Sequence, residues 1–311
     1  MNETKRTGVL KSTDGKTNLT YFVYEPQSEP KAMIQIAHGM SEYVERYEPL
    51  IDYLVQDGFL VFGNNHLGHK GSVASEADLG FLGGTTQGWK YMYQDIIQMG
   101  ELMKEQYPQL KLFLHGHSMG SFLARAVMVN KPQNYDGVIL CGTSGSNPAI
   151  GMGKVAVKIV SALRGNRARS ALLTKLFCGT YNSKYEKVRT SEDWLTRDNE
   201  IVDHYRADKY CSFVFTANGY LNLVELLEYV TSDDWYDKVP TDLPIFMISG
   251  EMDPVGGWGK GIREVDEKLR QKPRADYRMK LYPQMRHEIH NEIGKEEVYA
   301  DILNWYQGQL V

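Results

Sequence analysis

Short, mostly apolar runs alternate along this chain with longer stretches whose apolar residues recur every three or four positions. Residues 32–37, 59–62, 111–115, 137–141 and 243–249 are runs of the first kind and read as strands, that over 32–37 as a buried one, and 277–282 gives one more strand. Residues 47–56 are of the second kind, with Leu50, Ile51, Leu54 and Val55 on one helical face and Asp57-Gly58 closing the helix. Residues 89–106 repeat the pattern with Ile96, Ile97, Met99, Leu102 and Met103, and Pro108 follows. Helices are also expected over 121–130 and 295–309. Near the start, Asp14-Gly15 marks a tight turn between two edge strands, the second over 19–24. Strand–helix alternation predicts an α/β fold with a mostly parallel central sheet and helices on both faces.

The alternation stops at Asn147-Pro148. About ninety residues of helical character follow before the strand pattern returns at 243. The simplest organisation is a core of 1–146 and 240–311 interrupted by a helical insertion over 147–239. The insertion is electrically divided. Residues 151–190 hold nine Lys/Arg against the single acid Glu186, and 191–239 hold eleven acids against four bases. The apolar positions Val155, Val157, Ile159, Val160 and Leu163 inside the cationic half allow two readings, a helix that touches anionic lipid or a solvated surface.

Composition narrows the function classes. A chain of 311 residues with 42% hydrophobic and 24% charged residues has the make-up of a globular protein. Its net charge of −4 gives no general reason to expect nucleic acid as a partner. No apolar run approaches the ~20 residues of a membrane span, and residues 1–11 lack the apolar centre of a signal peptide. Cys141, Cys178 and Cys211 are widely spaced, which fits buried thiols in a reducing cytoplasm.

The chemistry is concentrated at Gly116-His117-Ser118-Met119-Gly120, a G-x-S-x-G between a strand-like and a helix-like segment. That context suits a nucleophile elbow, in which a strained turn holds the serine clear of the sheet. Gly116 and Gly120 would let strand and helix cross closely. A serine hydroxyl needs a base, and the base needs an orienting carboxylate. With the chain order serine, acid, histidine, the acid should follow a later strand, and Asp253 in Gly250-Glu251-Met252-Asp253-Pro254 does so, with Glu251 as rival. The histidine should follow the last strand, where His287 lies nearer the strand end than His290. The N–H groups of Met40 and Met119 are the expected oxyanion donors, with His38 bracing the first loop. The histidine pairs 66/69, 115/117 and 287/290 lack a third metal ligand at a recognisable spacing, and H-E-x-x-H is absent. Gly83-Gly84 and Gly256-Gly257 match no phosphate loop. No metal and no cofactor are expected.

Taken together, His38-Gly39-Met40-Ser41-Glu42 with Tyr47, the Ser118 motif, Gly250 to Val255 and His287-Glu288 resemble the monoacylglycerol lipase and lysophospholipase group of α/β-hydrolases. Residues 65–72, Asn65-His66-Leu67-Gly68-His69-Lys70-Gly71-Ser72, are similar to the group's D-x-R-G-H-G-x-S loop, with Asn65 and Leu67 in place of the acid and arginine. Ser121 stands where a third glycine is common. The resemblance implies the α/β-hydrolase fold, with the insertion as a helical lid over an acyl pocket that Met119, Phe213, Phe215, Tyr220, Leu221 and Leu223 could help line. It implies hydrolysis of monoacyl lipids or similar small carboxylic esters through Ser118, His287 and Asp253. Other serine-triad activities on the same frame, a peptidase among them, and an inactive binding protein are the alternatives. Activity is expected to fall through about pH 6.5, the ordinary histidine value.

Overall fold

The computed structural model describes residues 4–84, 87–147 and 150–310. Eight strands form one sheet in the order β1-β2-β4-β3-β5-β6-β7-β8. They are β1 (Thr4–Lys11), β2 (Asn18–Glu25), β3 (Met33–Ala37), β4 (Leu60–Asn64), β5 (Leu112–His117), β6 (Gly137–Cys141), β7 (Ile245–Gly250) and β8 (Tyr277–Tyr282). Strand β2 runs antiparallel to β1 and β4, and the remaining pairs are parallel. The β1–β2 hairpin turns at Gly15, φ 73°, where Asp14 accepts the N–H groups of Lys16 and Thr17, both at 2.7 Å.

The central strands are buried throughout and mostly apolar because both of their faces are covered. Successive side chains alternate between two cores. Leu112 and Leu114 of β5, Val138 and Leu140 of β6, and Ile245 and Met247 of β7 face one core. Phe113, Ile139 and Cys141, and Phe246 and Ile248 face the other. Helices α1 (Glu48–Gln56) and α10 (Lys295–Gly308) cover the second face with Leu50, Ile51, Leu54, Ile302 and Trp305. Helices α2 (Gly88–Gln106), α3 (Met119–Asn130) and α9 (Lys260–Leu269) cover the first with Ile96, Leu123, Val127, Ile262 and Val265.

Helix α9, between β7 and β8, has no counterpart in the periodicity reading. Its buried positions Ile262, Val265 and Leu269 lie at helical spacing, but seven of its ten residues are polar, charged or glycine and dilute the signal.

Between β6 and β7 lie α4 (Ile150–Arg164), α5 (Ala171–Cys178), α6 (Asn199–Ala207), α7 (Ala217–Thr231) and α8 (Asp233–Lys238). Among the described residues no strand of the sheet falls in this stretch. Helix α7 seats on the sheet's helices. Its Asn218 and Asn222 accept the N–H groups of Leu82 (2.9 Å) and Trp89 (3.0 Å). The fully buried Arg125 of α3 donates to the carbonyls of Val230 and Ser144 and lies over the Trp235 ring of α8. No helix among the described residues is long and apolar enough to cross a membrane.

Candidate active site

Ser118 sits in the turn from β5 to α3 with φ 54° and ψ −123°. A non-glycine residue in that region stores on the order of 1–3 kcal/mol, and the surrounding packing must hold it there. The crossing is tight. A Cβ on Gly120 would fall 1.9 Å from the Ala37 carbonyl oxygen, and one on Gly116 would fall 2.4 Å from that of Gly120. The Ser118 N–H donates to the Cys141 carbonyl at 2.9 Å. Ser121, fully buried, donates its hydroxyl to the Ser118 carbonyl at 2.6 Å and ties the first helical turn to the elbow.

The three stretches read as chemical from the sequence meet at this end of the sheet. Gly142, which follows Cys141, touches His287 and Asp253 together. A Cβ there would lie 3.2 Å from His287 Cε1 and 3.5 Å from Asp253 Oδ2. His287 Nδ1 lies 2.9 Å from Asp253 Oδ2, and both residues are buried. With the carboxylate as acceptor, Nδ1 carries the proton and Nε2 is left as the basic nitrogen. Asp253 is itself fixed, since Oδ1 accepts the Val255 N–H at 2.8 Å and Oδ2 the Ser249 hydroxyl at 3.1 Å. Glu251 is exposed and pairs loosely with Arg263. His290 is buried, stacks on Tyr47 at 4.7 Å and makes no contact with Asp253.

Burial pulls His287 down, but the Asp253 carboxylate, with Glu288 and Glu42 behind it, outweighs burial and lifts the imidazole above the ordinary 6.5. The imidazole therefore takes up a proton at a higher pH than an unperturbed histidine would.

The loop after β3 closes the site from the other side. A Cβ on Gly39 would lie 3.1 Å from that of Ser118. The Gly39 N–H donates to Glu42 Oε1 at 2.5 Å and the Ser41 N–H to His69 Nε2 at 3.3 Å, so the donors flanking Met40 are both occupied. Met119 opens α3, where the first N–H groups have no acceptor within the helix. His38 does brace this loop. Its Nε2 accepts the His66 N–H at 2.9 Å, so Nδ1 carries the proton and donates to the Gly39 carbonyl at 2.8 Å. Burial lowers His38 to about 4 and keeps it neutral. In the 65–72 loop, Asn65 replaces a salt link with neutral bonds, accepting the Val44 N–H at 2.8 Å and donating to the Lys70 carbonyl at 2.9 Å, and Leu67 is buried in the core.

One feature of the site escaped the sequence. Arg46 pairs with Glu42 and Glu288, each at 2.7 Å, and reaches the second oxygen of Glu288 at 2.8 Å. Tyr47 donates to Glu42 at 2.7 Å, and His117 Nδ1 lies 2.8 Å from the Tyr47 hydroxyl. Burial opposes the charge on Glu42, but His117 and Arg46 hold it well below the ordinary 4.5. Arg46 likewise holds Glu288 down. This buried cluster joins the β3 loop to the residue after His287. The i,i+4 spacing of Glu42 and Arg46 was a signal for half of it; Glu288, 242 residues from Arg46, offered none.

His117, Cys141 and His290 bring one candidate ligand atom each within 4.8 Å of one another. The donor set does not suit a metal. Burial pushes the Cys141 thiol well above its ordinary range, so a cation would have to displace its proton in order to bind. His117 Nδ1 is already committed to Tyr47 and Glu42. Of the residues expected around an acyl pocket, Met119, Phe215, Tyr220 and Leu221 are buried core, with Phe213 and Leu223 packed against it. A cavity of about 520 Å³ lies among Arg169, Thr174, Cys178, Asn182, Trp194 and Val214.

A sheet of this order, with a strained serine after β5, an aspartate after β7 and a histidine after β8, defines an α/β-hydrolase. The chain belongs to the serine aminopeptidase S33 family, whose pattern matches residues 28–294. It is similar to the monoacylglycerol lipase of Mycolicibacterium smegmatis, 23% identical over 95% of each chain. It is also similar to the monoglyceride lipase of Rattus norvegicus, 22% identical over 92% of this chain and 86% of that one. Among solved structures, a thermostable carboxyl esterase from Bacillus coagulans, in complex with glycerol, superposes with a TM-score of 0.91 at 30% identity over 99% of both chains. A soluble variant of the monoglyceride lipase of Saccharomyces cerevisiae has the same fold, with a TM-score of 0.75 at 18% identity over 98% of this chain and 94% of that one.

Proposed function

We propose that this chain is a serine carboxylic-ester hydrolase acting on monoacylglycerols, lysophospholipids or similar small acyl esters. The observation that carries the reading is the 2.9 Å contact between His287 and Asp253, which leaves Nε2 as the basic nitrogen of the ring. The hydroxyl of Ser118 attacks the ester carbonyl and His287 takes its proton. The N–H groups of Met40 and Met119 hold the oxyanion, each contributing on the order of 3 kcal/mol to the barrier. The alcohol leaves with the proton from His287, and water, deprotonated by the same imidazole, releases the acid. Residues 147–239 form the lid of this site. The names of the relatives favour esters, and the family's description favours a peptidase as the second reading. Monoacylglycerols and p-nitrophenyl esters assayed beside aminoacyl amides decide between them. Ester turnover far above amide turnover is expected, and the reverse would overturn the ester assignment.

His287 must be neutral to act as base, so kcat/KM is expected to fall as pH drops through a midpoint above 6.5. A rate that stays flat to pH 4 would remove His287 from that role.

The lid also carries a surface suited to aggregated lipid. Met152, Val155, Ile159 and Leu163 recur on one side of α4, and Ile159, the least exposed of them, still shows 54% of its surface. Leu172 and Leu176 of α5 are exposed too, and Lys158, Arg164 and Lys175 stand among them. Apolar side chains ringed by cations fit an anionic interface. Cosedimentation with anionic vesicles at low salt, reversed by high salt, is expected; no binding at low salt would remove the lipid contact.

A further inference from the structure

The loop that carries His287 is held in large part by the segment between α5 and α6. The His287 N–H donates to the Trp194 carbonyl at 3.4 Å and the Glu288 N–H to the Leu195 carbonyl at 2.7 Å. Arg286 donates to the carbonyls of Asp193 and Thr196. Thr196 donates its hydroxyl to the Asn291 carbonyl at 3.1 Å, and Arg197 pairs with the buried Glu292 at 2.9 Å. Five consecutive residues, 193–197, thus grip the loop 286–292. Within that grip one side chain reaches the imidazole. The Trp194 indole lies 5.1 Å from the His287 ring, tilted by 38°, and is backed by Tyr181 at 4.8 Å. Trp194 also lines the 520 Å³ cavity.

We infer that Trp194 is a positioning residue for His287. Its carbonyl fixes the loop and its indole fixes the ring and keeps water from it. The assignment rests on the ester-hydrolase reading only for the meaning of the ring's orientation; the contact itself does not depend on it. The charged and titratable groups around His287 are Asp253 from the turn after β7, Glu288 beside it, Glu42 from the loop after β3 and His117 at the end of β5, its ring 4.8 Å away. Trp194 adds no charge to this set. What it adds is cover from solvent, and burial pushes the imidazole down against the carboxylates. Removing the indole hydrates the ring, so the midpoint must rise, and a ring free to turn loses its alignment with Ser118.

The test is an NMR titration of the His287 ring in the full chain, beside pH profiles of kcat/KM, for the wild type, Trp194→Ala, Trp194→Gln and Trp194→Phe. In Trp194→Ala the His287 midpoint is expected to move upward and kcat to fall about tenfold or more. Trp194→Gln, which keeps a long side chain in the same space, should do the same if the alanine variant does not fold. Trp194→Phe should recover most of both changes, which a purely structural role would not require. A midpoint unmoved in both Trp194→Ala and Trp194→Gln, or moved equally in Trp194→Phe, would overturn the assignment. The titration needs no substrate. A chain that hydrolysed no ester and still showed the shift would refute the proposed function and leave the positioning role standing.

Discussion

Replacing Ser118 by alanine is expected to lower the turnover of a monoacyl ester by about 10⁶-fold, the loss seen when the nucleophile of a serine triad is removed. The loss should fall on kcat, because the hydroxyl forms a bond only as the carbonyl is attacked. The fold should survive. The backbone at residue 118 is held by the bonds from its N–H to the Cys141 carbonyl and from Ser121 to its own carbonyl, and both remain in the variant. Alanine meets the same φ of 54° as serine, so the elbow's strain is unchanged. Steady-state and single-turnover kinetics with a p-nitrophenyl ester, beside a melting curve, check both halves. A residual rate within tenfold of the wild type would show that another group carries the reaction.

The largest effect on stability is expected from Arg46→Met, which removes the guanidinium from between Glu42 and Glu288. The two carboxylates are 3% and 2% exposed at their side chains and would be left buried without their common cation. Breaking a buried ion pair from one side costs about 3–5 kcal/mol, far more than a surface pair contributes. In the wild type both carboxyls are held below their ordinary value, so the cluster stabilises the fold above the carboxylate range and loses that contribution as pH falls through it. The penalty of Arg46→Met is therefore greatest near neutral pH and shrinks on acidification, when protonated carboxyls no longer need a cation. Activity should fall as well, because Glu42 holds the Gly39 N–H and Glu288 follows His287. Denaturant unfolding at pH 7 and pH 4.5 reads the effect. Equal stability of variant and wild type at pH 7 would mean that the cluster does not hold the two loops.

How far the fold could be read ahead of the structure follows from what each element buries. Strands β6 and β8 begin and end where the apolar runs do. The central strands are covered on both faces and so are buried at every position and mostly apolar, a pattern that stands out from its surroundings. Helix α9 buries only three side chains in ten residues and left no comparable trace. The order of the strands lies in the crossovers, which leave no mark on local periodicity. At the candidate site, the sequence singled out Ser118, Asp253 and His287 because each follows a strand in a recognisable turn. Arg46 could be paired with Glu42 by spacing, but nothing local pointed to Glu288. Trp194 was invisible for a different reason, since half of its contact with His287 is made by a main-chain carbonyl, which any residue supplies.

The most direct measurement is covalent capture of the candidate nucleophile. A fluorophosphonate reacts with a serine that a neighbouring imidazole has activated. Trypsin should release residues 112–125 as one peptide carrying both Ser118 and Ser121, which fragment ions distinguish. One adduct per chain on Ser118, formed more slowly as His287 is protonated and lost in His287→Ala, is the expected result. An unlabelled chain, or an adduct at Ser121 or elsewhere with Ser118 untouched, would contradict a relay of hydroxyl, imidazole and carboxylate at the end of this sheet.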